Sequence, residues 1–120
     1  MKKLFTLILI LPLFLLGCKD ESKNETGSLS EDHVYFLFAK TCPHCHAAME
    51  YINQKYPDLD ITMIDVNTPQ GSETLWQTAS KYNLGDYVGV PLIVMGKNHI
   101  MGWTESYEAR FDEFVKPFVK

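Results

Sequence analysis

With 120 residues, 46% of them hydrophobic and 22% charged, the chain has an ordinary globular composition and room for one domain. Its 11 basic and 15 acidic residues give a formal net charge of −4. That balance disfavours nucleic acid as a partner and offers no polybasic grip on anionic lipid.

Lys2 and Lys3 precede an apolar run of 13 residues, Leu4 to Leu16, that leads into Gly17 and Cys18. A basic start followed by a short apolar core is the pattern of an export signal. A membrane-spanning helix needs roughly 20 apolar residues. The run is too short for that, and Pro12 interrupts it. Leu15-Leu16-Gly17-Cys18 resembles the lipobox of bacterial lipoproteins. The resemblance implies cleavage after residue 17, a diacylglyceryl group on Cys18 and attachment to the cell envelope. Plain secretion with Cys18 as an incidental thiol is the alternative, and it exports the chain equally. Residues 1–17 are then a signal peptide and residues 18–32 a lipidated cysteine with a tether. From Lys19 to Asp32 the only aliphatic residue is Leu29, too little to order the segment by burial. A flexible coil of this length reaches roughly 20 Å.

The domain, residues 33–120, opens with Val34-Tyr35-Phe36-Leu37-Phe38, a continuous apolar run that predicts a strand buried on both faces. Pro43 to Tyr56 predicts a helix whose apolar face carries Ala47, Ala48, Tyr51, Ile52 and Tyr56 and which stops at Pro57. Leu59 to Val66 predicts a second strand. After Thr68-Pro69-Gln70-Gly71 comes a helix with Leu75, Trp76, Ala79 and Tyr82, closed by Asn83 and Gly85. Pro91–Met95 and His99–Trp103 read as a hairpin turning at Gly96-Lys97-Asn98. A last helix has Thr104 as its N-cap, Glu105 as a first-turn charge, and Phe111, Phe114, Val115 and Phe118 on one face, with Pro117 ending or kinking it.

The order β-α-β-α-β-β-α predicts an α/β fold. A helix joins the first two strands, which makes them parallel, and the hairpin adds an antiparallel pair. The result is a mixed four-stranded sheet with helices on both faces.

Chemistry concentrates in Thr41-Cys42-Pro43-His44-Cys45, between the first strand and the first helix. Proline suits the first helical position, which makes Cys42 the cap residue. There its sulfur meets unpaired N–H groups at the positive end of the helix dipole, and thiolate is favoured over thiol. His44 and Lys40 can add positive charge. Cys45 lies one helical turn on, within reach of Cys42, and closes too short a loop to stabilise the fold. Cys42 is the candidate nucleophile, Cys45 the resolving thiol, and His44 and Pro43 tune the pair. The redox-active disulfide is itself the only cofactor expected.

At these residues the chain is similar to the thioredoxin superfamily, over His33 to Lys120, with a glutaredoxin-sized element order. Cys-Pro-His-Cys resembles the motif of periplasmic disulfide oxidases of the Dsb type, and Lys40 before the first cysteine resembles glutaredoxin. The resemblance implies a cis proline facing the cysteines, which Gly89-Val90-Pro91 supplies at the start of the third strand. It assigns Lys40, Val90 and Pro91 to substrate binding, Val90 pairing its backbone with an extended segment. It also implies exchange with protein thiols and disulfides and a membrane redox partner. Three positions depart from the family. Phe36 stands where thioredoxins and Dsb oxidases carry a buried acid. Gly102-Trp103-Thr104-Glu105 stands where glutaredoxins hold glutathione. The helical insertion of Dsb oxidases is absent.

A metal-binding lipoprotein using Cys42, His44, Cys45 and His46 for copper or zinc is the rival reading. No second CxxC pair exists, and His44 and His46 fall on different helix faces, which leaves no metal ligands among the expected site residues. His33 and His99 read as strand-end residues. Trp76 and Trp103 read as packing residues, and Met49, Met63, Met95 and Met101 as core.

Overall fold

The computed structural model describes residues 29–119. The signal peptide, Cys18 and most of the expected tether lie outside the described residues. Strand β1 (Val34–Phe38) leads through α1 (Pro43–Lys55) to β2 (Ile61–Asp65). Then α2 (Pro69–Lys81) leads to the hairpin β3 (Leu92–Met95) and β4 (Asn98–Met101), and α3 (Glu108–Val115) ends the fold. The four strands form one sheet in the order β2-β1-β3-β4, with β1 parallel to β2 and antiparallel to β3, and β3 antiparallel to β4. This is the expected mixed sheet, with β1 in its interior.

Alternation along β1 decides which helices cover which face. Val34 and Phe36 point to one side, where they pack with Ile93, Met95 and Ile100 against Cys45, Ala48 and Ile52 of α1 and Phe111 and Val115 of α3. Leu37 points to the other side, where it meets Leu92 and Val94 under Leu75 and Tyr82 of α2. Helices therefore lie on both faces. Burying an aliphatic or aromatic side chain of this size is worth about 1.5–3 kcal/mol.

Leu29 packs against the Leu37 cluster and Glu31 pairs with Lys81 at 3.4 Å, so the packed region extends back ahead of His33. Tyr82 caps α2, and Asn83 follows it at φ 58°. The Asn83 N–H donates to Ser80 O at 3.3 Å and the Leu84 N–H to Ala79 O at 2.8 Å, the two bonds of a Schellman ending.

Several expectations are corrected by packing. Trp76 is 51% exposed, because the buried stripe of α2 runs through Gly71, Thr74, Thr78 and Ala79 and leaves Trp76 on the solvent side. Met63 is 43% exposed, because β2 is an edge strand and no described residue covers that part of it. Ala47 is exposed, since α1 buries Cys45, Ala48 and Ile52 at i, i+3 and i+7. Asn98 belongs to β4, paired with Met95, so the hairpin turns on Gly96 and Lys97 alone. Thr104 stands at the start of a 3-10 turn over Glu105–Tyr107 rather than of α3, and its hydroxyl makes no cap bond but pairs with Ser106 Oγ at 2.7 Å. His99 does lie near the start of β4, where it is half-buried with its ring tilted against Tyr82 at a centroid distance of 4.6 Å. Burial holds its pKa below the ordinary histidine value.

Candidate active site

Strand β1 ends at Phe38 and the chain crosses Ala39-Lys40-Thr41 before α1 begins at Pro43. The Cys42 N–H donates to Ala39 O at 3.1 Å, and the Cys42 carbonyl accepts the first helical bond from the His46 N–H at 3.2 Å. Cys42 is the N-cap, with extended φ −93° and ψ 109°, and its sulfur accepts from the Cys45 N–H at 3.1 Å. Pro43 at the first helical position has no N–H to satisfy, so the cap faces the remaining donors of the first turn. These donors favour negative charge on Cys42 Sγ.

Cys42 and Cys45 form a disulfide, with Cα atoms 5.2 Å apart. Their exposure differs. Cys42 is partly exposed, whereas Cys45 is 2% exposed and lies in the core cluster beside Phe36. An incoming thiolate therefore reaches Cys42 first.

The Val90–Pro91 bond is cis, and the Val90 carbonyl oxygen lies 3.7 Å from Cys42 Sγ. In the disulfide this is a contact; a Cys42 thiol could donate to the same oxygen. Pro91 is buried, and its carbonyl accepts from the Gly102 N–H at 2.8 Å, which ties the segment to the end of β4. The tertiary structure thus gathers Cys42, Cys45, Val90 and Pro91 at one place.

Lys40 and His44 are differently placed. Both are exposed, and no hydrogen bond joins either side chain to a cysteine sulfur among the described residues. His44 borders a groove shared with Trp103, Glu105 and Glu108. His46, weighed above only as a metal ligand, bonds the Lys40 carbonyl through Nε2 at 2.9 Å and so fastens the approach to Cys42. Among the described residues no group of three or more His, Cys, Asp or Glu side chains could hold a metal ion.

Phe36 is fully buried, so the family's acid position is filled by hydrocarbon. Next to it an open cleft of about 780 Å³ is lined by Phe38, Cys45, His46, Glu50, Asn53 and Met63. Cys45, His46 and Glu50 share this cleft with the exposed Met63 of β2. The sequence carries no signal for the cleft, because its walls come from β1, α1 and β2, which only the fold brings together.

Comparison with solved structures places this geometry. The glutaredoxin Grx-1 from Archaeoglobus fulgidus aligns with a TM-score of 0.54 at 23% identity, over 70% of this chain and 86% of that one. The fold is glutaredoxin-like. A buckwheat glutaredoxin in complex with glutathione aligns at 0.51 and 16% identity, over 72% of this chain and 74% of its own. The holo form of glutaredoxin C1 from Populus tremula x tremuloides aligns at 0.52 and 17% identity, over 71% and 74%. No protein-family model and no curated protein matches the chain. A glutaredoxin-like fold with a disulfide at the start of α1 thus stands on the structural likeness and on the CxxC spacing together.

Proposed function

We propose that the chain is an exported, lipid-anchored thiol–disulfide oxidoreductase that exchanges disulfides with protein substrates through Cys42 and Cys45. The observation that carries the proposal is the pairing of a partly exposed N-cap sulfur with a buried one, across from the Val90 carbonyl.

The unequal burial of the two sulfurs supports this division of roles. With the pair oxidised, a substrate thiolate attacks Cys42 Sγ, a bond forms between the two sulfurs, and the Cys42–Cys45 bond breaks with its electron pair on Cys45. A second substrate thiolate attacks the substrate sulfur of this mixed disulfide. The substrate leaves oxidised, and two electrons and two protons remain on Cys42 and Cys45. Reduction of a substrate disulfide runs through the same steps reversed, starting from a Cys42 thiolate held by the Cys45 N–H. The Val90 backbone aligns an extended substrate segment alongside Cys42, strand to strand. Lys40 supplies positive charge at the rim, and His44 adds to it when protonated. A membrane redox partner resets the pair, and no other cofactor is needed.

Protein disulfides are favoured over glutathione because Trp103, in the stretch where glutaredoxins hold that tripeptide, is only 5% exposed and packs on Tyr51 and Phe111. The metal-binding reading gains no support, with His46 engaged by the Lys40 carbonyl and no ligand cluster among the described residues.

The test uses the full-length protein and an insulin-type disulfide assay in both directions. Cys42→Ser abolishes turnover, and Cys45→Ser accumulates mixed disulfides with substrate. Equal activity of both variants and the parent ends the proposal. Export and anchoring rest on Leu15-Leu16-Gly17-Cys18. Metabolic labelling with a fatty acid tags the parent chain and not Cys18→Ser; a label that survives the substitution rejects the anchor.

A further inference from the structure

The Gly89 N–H donates to the thioether sulfur of Met101 at 3.3 Å. Met101 is the last residue of β4, half-buried, in register with Leu92 and packed against the Leu37–Leu92–Val94 cluster. A part-buried backbone N–H needs a partner. Here that partner is one of the weakest acceptors a side chain offers.

The next residue on the same strand end makes the complementary bond, Gly102 N–H to Pro91 O at 2.8 Å. Gly89 and Pro91 are therefore held by consecutive residues, Met101 and Gly102. Val90 between them is left with its carbonyl 3.7 Å from Cys42 Sγ. A β-carbon added at Gly89 would meet nothing within 4 Å, so the outer side of the segment is open to an incoming chain.

We propose that Met101 is a positioning residue. Its sulfur sets the height of the Gly89–Val90 backbone over Cys42 and so determines how well an extended protein disulfide is captured. The substrate half of this inference rests on the oxidoreductase reading; the backbone half rests on the Gly89–Met101 contact alone.

The experiment compares full-length parent, Met101→Leu and Met101→Gln. Leucine keeps the apolar bulk and removes the acceptor, while glutamine returns an acceptor oxygen at similar reach. Two quantities are read: KM and kcat with a disulfide-bearing peptide, and exchange of the Gly89 amide proton by NMR. One lost neutral hydrogen bond corresponds to a rise in KM of about five-fold for Met101→Leu. kcat stays within about two-fold, because the reacting sulfurs are untouched. Gly89 exchange speeds up about ten-fold, and Met101→Gln recovers at least half of both effects. The proposal is overturned by a Gly89 amide that exchanges no faster in Met101→Leu, or by faster exchange with an unchanged KM. A parent protein that turns over no disulfide defeats the oxidoreductase reading and the substrate half with it, and Gly89 exchange then decides by itself whether Met101 holds the segment.

Discussion

The Tyr56 hydroxyl donates to Asp112 Oδ1 at 2.7 Å, joining the cap of α1 to the middle of α3. The same carboxylate accepts from the Tyr51 hydroxyl at 2.8 Å and from Lys55 Nζ at 2.6 Å. Since α1 begins at Cys42 and carries Cys45, this one acid ties the disulfide-bearing helix to α3. Asp112→Ala should lower stability by roughly 2–3 kcal/mol, the scale of hydrogen bonds to a charged acceptor. Urea unfolding measures it, and a loss near zero would mean that the helices are held by apolar packing alone.

The same cluster sets the pH range of stability. Burial alone would push Asp112 up, but hydrogen bonds from Lys55, Tyr56 and Tyr51 outweigh it and hold the carboxyl below its ordinary value. Its contribution is present above the ordinary carboxylate range and is lost as pH falls through the folded value. Burial and the bond to Asp112 push Tyr56 up to about 12 from 10.0. That contribution is complete below pH 10.0 and disappears as pH rises toward about 12. Urea midpoints measured against pH should fall at both ends, and both slopes should shrink in Asp112→Ala. An alkaline limb of the same steepness in that variant would separate Tyr56 from Asp112.

Gly71, in the first turn of α2, lies against the end of β2. A β-carbon there would sit 1.8 Å from the Asp65 carbonyl oxygen, which already accepts from the Thr68 hydroxyl at 2.9 Å. Backbone has to move to admit it, so Gly71→Ala should cost roughly 3 kcal/mol despite alanine's higher helix propensity. Thermal unfolding checks the sign, and a stabilised variant would show that the turn yields freely.

The two tryptophans should behave oppositely. Trp103 is 5% exposed among Tyr51 and Phe111, and Trp103→Ala should cost roughly 3–5 kcal/mol. Trp76 is 51% exposed, and Trp76→Ser should stay within about 0.5 kcal/mol. Chemical denaturation of the pair decides the matter, and similar losses from both would contradict the described packing of α2.

Reduction should expose one thiol and not the other. Cys42 sits at the cap where the Cys45 N–H stabilises its thiolate, so alkylation of Cys42 should reach half-rate at lower pH than free cysteine does. Cys45, 2% exposed, should react only after unfolding. Mass spectrometry of the alkylated protein resolves the two sites. Comparable rates at both would remove the physical basis for naming Cys42 the attacking sulfur.

Much of this arrangement was legible in the chain itself. The unbroken apolar run of β1 announced a strand covered on both sides, and Pro43 after Cys42 announced a cysteine at a helix start, because both follow from local geometry. The spacing of Cys42 and Cys45 likewise needs only the rise of one helical turn. Trp76, Met63 and Ala47 stand on the solvent side for a common reason: hydrophobic residues indicate that an element has an apolar face, but the neighbours available to cover it fix the direction of that face. Small residues at Gly71, Thr74 and Thr78 let α2 approach the sheet closely, and the larger Trp76 was turned outward.

Local sequence therefore determined the element order and the placing of two cysteines one turn apart at a helix start, since helix caps, proline and strand alternation act over a few residues. Only the folded chain decided that Val90 stands beside a sulfur 48 residues away, that Met101 holds the segment there, and that Cys45 rather than Cys42 is enclosed. Those are contacts between distant segments, and their geometry comes from the order in which β1, β3 and β4 lie side by side.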